Sequence, residues 1–297
     1  MLLDNRFPMA YMIKKVWFDL VVVLLVGLFA QYFSERYDNL LPKIPLNIPI
    51  FLGTAISVLL SFKMNQSYDR WWEARKVWGS IVNDSRNLVI QLQTFLSGEH
   101  HEFIRTIAYR QIAWCYCLGR SLRGLAPLEN LAEYLSKEDI EVLKKHNNKP
   151  LAIVQLSAKD LQQLKEAGKL DSYMYVELNG TLCALVDYMG MAERINTTVF
   201  PVTYRYYLHL IIYIFVVTLS IALDNVNALF EIPMLVVISA CFFLIEKSAF
   251  HLQDPFRNRP SDTPVTTIAR NIEINIRQLL GESSVPGPIA AERFYTM

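Results

Sequence analysis

The sequence predicts an all-α integral membrane protein, on three observations. Four stretches, 16–33, 44–62, 206–223 and 229–245, are apolar and long enough to cross a hydrocarbon core of about 30 Å, which takes about 20 helical residues. An excess of basic residues marks one end of each stretch, the asymmetry that orients membrane spans. No β-rich region, internal repeat or low-complexity tract competes with a helical reading.

Composition agrees. The 297 residues are 53% hydrophobic, against about 45–50% in a soluble domain, so the excess is modest and sits in the four stretches. A formal net charge of +1 excludes a strong bulk attraction to nucleic acid, and none is expected as a partner. Leu20 to Ala30 imitates a short signal core, but no A-x-A-like site precedes Glu35 and Arg36. The segment reads as a retained first span.

Span one carries Asp19 and Gln31. Span two holds Pro45, Asn47 and Pro49, then the small residues Gly53, Thr54, Ala55, Ser57 and Ser61, which let helices approach closely. From Thr54 to Trp78 there is neither Gly nor Pro, so this helix can continue beyond the membrane. Run from Ile44 to Leu96, it would be about 80 Å long. Span three has His209 near its start, and span four has Glu231 and Pro233 at its head.

Arg6, Lys14 and Lys15 precede span one, and Lys63, Arg70, Arg75 and Lys76 follow span two. Arg194 and Arg205 precede span three, and Lys247, Arg257 and Arg259 follow span four. Residues 224–228 have no Lys or Arg, and 34–43 are mixed. The expectation is a single domain, 1–297, in the inner or plasma membrane. Both termini and the helical regions 63–204 and 246–297 would be cytoplasmic.

Within those regions, Ser136 to Asp139 reads as a capping box, and Ser157 as the cap of a helix through Lys165 that Gly168 stops. Leu170 to Thr197 has helical spacing, and Thr263-Pro264 opens a last helix through Leu280. Cys115, Cys117, Cys183 and Cys241 lack zinc or redox spacing and read as reduced, buried thiols.

Standard catalytic signatures are missing, and no catalytic residue, metal or cofactor is expected. Glu99, His100, His101 and Glu102 could hold a metal but read more simply as a solvated charge cluster at a helix start. Asn-x-Ser/Thr triplets at Asn65, Asn83, Asn179 and Asn196 fall on the cytoplasmic side and read as accidents of composition. Asp19 and His209 lie near the cytoplasmic ends of their spans, with a structural role or a pore contact both open. Thr54, Val58 and Phe62 repeat every fourth residue and form one stripe on a helix. On one chain that is a packing face. Around a symmetry axis it stacks into rings that can gate by dewetting.

The run Tyr68-Asp-Arg-Trp-Trp-Glu-Ala-Arg75 resembles the bestrophin family. Arg70, Trp71 and Trp72 match the motif of animal members, and Glu73, Ala74 and Arg75 that of bacterial ones. The segments Glu166 to Leu170 and Glu193 to Pro201, and the triplet Asp254, Pro255, Phe256, agree in order and spacing, so the resemblance covers nearly the whole chain. It implies a homopentameric funnel with a central pore lined by the second helix. Counting back from Arg70, the family's neck falls on Thr54, Val58 and Phe62.

Two departures stand out. Thr54 is small and polar where animal members have a large apolar residue. Arg257 to Asp262 offers two bases and one acid where they have an acidic calcium clasp. Calcium takes about six to eight oxygen ligands, so no calcium gating is expected. The expected function is an ion channel for chloride or other small anions. A sodium channel of the same fold, a membrane enzyme and a non-conducting scaffold are the alternatives.

Overall fold

The computed structural model describes residues 9–36, 44–96, 98–198, 201–223, 227–291 and 295, without the side chains of Met9, Ser34, Glu35, Glu99 and Ala228. Within them the chain forms nine α-helices and one 3-10 turn, Gly98–His100. The helices are α1 (Met9–Arg36), α2 (Asn47–Phe95), α3 (His101–Leu122), α4 (Lys137–Lys144), α5 (Lys149–Glu166), α6 (Ser172–Thr197), α7 (Val202–Ala222), α8 (Ala228–Gln253) and α9 (Val265–Leu279). The charge readings at Arg6, in most of 34–43 and in most of 224–228 lie outside the described residues, as does the side chain of Glu99.

Four helices, α1, α2, α7 and α8, are long and apolar enough to span a membrane. Each differs from its sequence estimate mainly at the ends, because a helix need not stop where its apolar stretch does. α8 continues past Ile245 through Glu246 and Lys247 and stops at Asp254, where the following Pro255 disfavours helical backbone. α2 begins at Asn47, which leaves Pro49 in its first turn, where a missing N–H costs nothing. Its 49 residues reach about 74 Å.

The chain divides into two units, with boundaries at Trp71–Trp72 inside α2 and at Asp254–Pro255. In the span unit (4–71 and 199–254), α1 packs on α7 and α8, and α7 on α8. Val16, Val23, Ile56, Leu60, Ile212, Val216, Leu235 and Phe243 form its core. Two glycines mark close approaches. A Cβ at Gly53 would sit 3.2 Å from the Phe215 ring, and one at Gly27 3.2 Å from Leu235. Only 22–33% of each span window is buried within the chain, so most of its apolar surface needs lipid or another copy to cover it.

In the larger unit (72–198 and 255–297), α3 is the central helix and packs on α5, α6 and α9. Trp78, Trp114, Ile107, Ile112 and Phe256 are among its buried side chains. Arg110 of α3 makes a two-pronged bond to Asp139, with Nε and Nη2 each 2.9 Å from a carboxylate oxygen, and Nη1 reaches Asp160. Buried Glu273 accepts from the hydroxyls of Tyr116 at 2.7 Å and Tyr134 at 2.9 Å and from Arg277 Nε at 3.0 Å. Arg270 Nη1 stands 3.2 Å from it. Burial beside that carboxylate pushes the Tyr134 hydroxyl up to about 12.

Several local expectations hold and others need correction. Ser136 caps α4, accepting from the Asp139 N–H at 3.0 Å, but the Asp139 side chain turns to Arg110 instead of closing the box. Gly168, at φ +71, follows the end of α5 as a left-handed terminator. Ser157 is no cap. α5 already starts at Lys149 under Asn148, and the Ser157 hydroxyl bonds back to Ile153 O. Pro264, not Thr263, is the N-cap of α9, and no side chain caps that end. All four cysteines are free, but only Cys115 and Cys117 are buried. Cys183 and Cys241 lie on exposed faces of α6 and α8, which periodicity did not resolve.

Candidate functional site

Thr54, Val58 and Phe62 lie one above another on α2, about 6 Å apart along its axis. The described residues leave them largely exposed: Val58 is 51% exposed and Phe62 63%. The opposite face, with Ile56 and Leu60, is buried in the span core. The Thr54 hydroxyl donates to Ile50 O at 2.9 Å and that of Ser57 to Gly53 O at 2.8 Å. Both hydroxyls are thus committed to their own helix, and the stripe is effectively apolar along its length.

Below the stripe, the end of α8 holds the start of the Arg-Trp-Trp motif. Arg70 Nε donates to Gln253 O at 2.9 Å, and Lys63 Nζ donates to Gln253 Oε1. Gln253 immediately precedes Asp254, so one motif supplies the donor and the other begins beside the acceptor. The Trp71 ring lies 6.1 Å from that of Tyr68. Trp72 is half exposed, and Glu73 pairs with Lys76 at 2.6 Å on the surface. Arg75 reaches forward along the helix toward Gly79. Pro255 and Phe256 are buried in the larger unit, where Pro255 O accepts from the Thr263 N–H at 3.1 Å. The sequence marked Lys63 only as an orienting charge after span two and did not single out Gln253.

Asp19 and His209, separated by most of the chain, meet. Asp19 is 4% exposed and accepts from the Tyr213 hydroxyl at 2.9 Å, with His209 Nε2 and Lys247 Nζ each 3.3 Å away. His209 Nδ1 faces Glu246 at 3.0 Å. The intramembrane charge is therefore shared within the chain among α1, α7 and α8. On the same helices, the Ser220 hydroxyl donates to buried Glu231 at 3.2 Å. His100, His101 and Glu102 form no metal cage: among the described residues, no three His, Cys, Asp or Glu side chains gather as ligands.

Four apolar helices with internally paired charges, one of which presents an exposed stripe, define a multi-span helical membrane protein. The chain belongs to the bacterial and fungal bestrophin family, whose sequence model, described as Bacterial/Fungal Bestrophin protein, matches residues 6–278. It is 30% identical to the voltage-dependent anion channel-forming protein YneE of Escherichia coli K12 over 286 residues, 96% of this chain and 93% of that protein. It is 31% identical to the voltage-dependent anion channel-forming protein alr2987 of Nostoc, covering 90% and 92%. The fold matches the crystal structure of a bacterial bestrophin homologue from Klebsiella pneumoniae, with a TM-score of 0.86 at 29% identity over 91% of this chain and all of that one. The family relation read from the Arg70–Arg75 and Asp254–Phe256 motifs is the one found.

Proposed function

We propose that this protein is an anion channel, five copies surrounding one pore lined by α2, with the whole chain acting as one channel domain. The observation that carries this is the relation, over nearly its full length, to proteins named as voltage-dependent anion channel-forming. The exposed stripe Thr54, Val58 and Phe62 supports the pore assignment, because its own chain offers it no core to fill. A neck without fixed charge selects by width and dehydration cost, so sign preference comes from the flanking vestibules. Purified protein in a planar bilayer with asymmetric sodium chloride should reverse near the chloride equilibrium potential. Reversal near the sodium potential would replace the anion reading with a cation channel of the same fold.

The same bilayer tests calcium. The segment after Phe256 has one carboxylate, Asp262, whose Oδ2 already accepts from the Arg259 N–H at 3.0 Å. Micromolar calcium should therefore leave the current as it is in chelator, and a steep response would mean that another set of oxygens binds it.

For orientation, the reading is an inner or plasma membrane protein with both termini in the cytoplasm, from the placement of Lys and Arg. A reporter fused after Met297 should report cytoplasm, and a tag at Asn225 should be reachable from outside. A C-terminus on the outer side would remove the four-span arrangement.

A further inference from the structure

We infer that α1 and α7 together hold one phospholipid, with an acyl chain lying in a groove between the two helices and the phosphate meeting Arg36 at the end of α1. The groove is a cavity of about 470 Å³, and every residue that walls it is apolar. Six of them come from α1, at the three- and four-residue spacing of one helix face from Val22 to Phe33. The other two, Val217 and Ile221, come from α7. Leu25 is 58% exposed and Phe29 64%, and the Phe29 and Phe33 rings stand 5.3 Å apart. Ala30 is the smallest side chain of the wall.

The dimensions fit one leaflet. Val22 to Phe33 rises about 17 Å along the helix axis, close to half of a hydrocarbon core of about 30 Å. The groove also ends where the apolar span does, at Phe33. Polar groups follow at that end. Tyr32 is 65% exposed, and tyrosines at the ends of spans sit among lipid headgroups. Arg36 is exposed, closes α1 and lies one turn beyond Phe33 on the same side of the helix. A guanidinium there suits a phosphate, which it can bind through two parallel hydrogen bonds.

A chain lying in the groove touches two helices at once, and dispersion contacts that are small singly add up. It is held more tightly than lipid resting on a convex helix face. The groove also opens away from α2. Phe215 of α7 faces Gly53 of α2, and Val217 lies about 200° further round the helix. The choice of lipid over a second copy as occupant rests on the reading that α2 faces the shared axis.

Native mass spectrometry on the full-length protein, stripped of lipid in mild detergent, tests the site with palmitoyl-oleoyl phosphatidylglycerol as the probe. Binding should saturate at one lipid per subunit. Ala30→Phe, which fills the groove, should weaken binding by about tenfold at unchanged oligomeric state, and Arg36→Gln should weaken it less. Val237→Phe adds the same ring at an exposed position of α8 outside the groove and should bind like wild type. If Ala30→Phe does not fold, Val217→Phe takes its place. Crystals grown with the acyl chain dibrominated at mid-length should show an anomalous peak in van der Waals contact with Ala30 or Val217. Loss of the oligomer in the groove variants with no bromine peak means that a second copy covers the groove. Equal weakening by Val237→Phe, or binding that never saturates, means ordinary bilayer lipid only. Either result overturns the assignment. A bromine peak at Ala30 in a protein whose conduction ignores Val58 and Phe62 would remove the pore reading and keep the lipid site.

Discussion

Truncating Val58 and Phe62 together to Ala should raise single-channel conductance or open probability while leaving pentamer yield, read by native mass spectrometry, close to wild type. Both side chains are largely exposed on the chain, so around a five-fold axis they would stack as two apolar rings. A narrow ring of such groups offers water no hydrogen bonds and resists wetting, blocking ions without closing sterically. Removing ten side chains from that constriction widens and wets it. Burial between subunits gives the opposite pattern, with each truncation costing on the order of 2–5 kcal/mol and the pentamer lost. Thr54→Ala should be milder than either single change, since it removes little volume and a hydroxyl bonded within its own helix. A double variant that conducts like wild type, or only falls apart, would make these packing residues.

Glu273→Ala should be the most destabilising single change in the larger unit. The carboxylate is buried and accepts from Tyr116, Tyr134 and Arg277, with Arg270 beside it. Breaking a buried charged network from one side costs about 3–5 kcal/mol, because the partners stay behind unpaired. Arg277 keeps Glu133 and Glu282, so the greater loss falls on the two tyrosines and on Arg270. In a domain of this size the expected fall in Tm is on the order of 10 °C. Glu273→Gln, which keeps an acceptor oxygen, should lie between it and wild type. Lys144→Ala, removing an exposed pair with Glu141, should leave Tm unchanged. An unchanged Tm in Glu273→Ala would show that the network contributes nothing to stability.

The spans were legible because long, largely apolar stretches need no partner to be recognised. The extent of α2 was legible because no Gly or Pro interrupts Thr54 to Trp78. The stripe on α2 followed from a four-residue period, and the structure adds that the described residues leave it largely exposed. Caps were read less well. Ser136 was found, but Ser157 was misread, because a serine inside a helix looks locally the same as one at its start and differs only in bonding back to Ile153. α3 went unread as the central helix: Arg110 and Gln111 are buried there beside Ile112 and Trp114, a burial that tertiary packing and not polarity decides.

By itself, then, the sequence determined the helical class, the four spans, the long second helix and the motifs that carry the family relation. All of these rest on interactions within a few residues along the chain or on transfer of whole segments out of water. Only the tertiary structure decided which polar groups meet. Asp19 finds Tyr213 at 194 positions' distance, Tyr116 finds Glu273 at 157, and Arg110 takes Asp139 from the capping box. The physical reason is that a buried polar group must be paired but does not encode its partner. Packing of the helices chooses that partner.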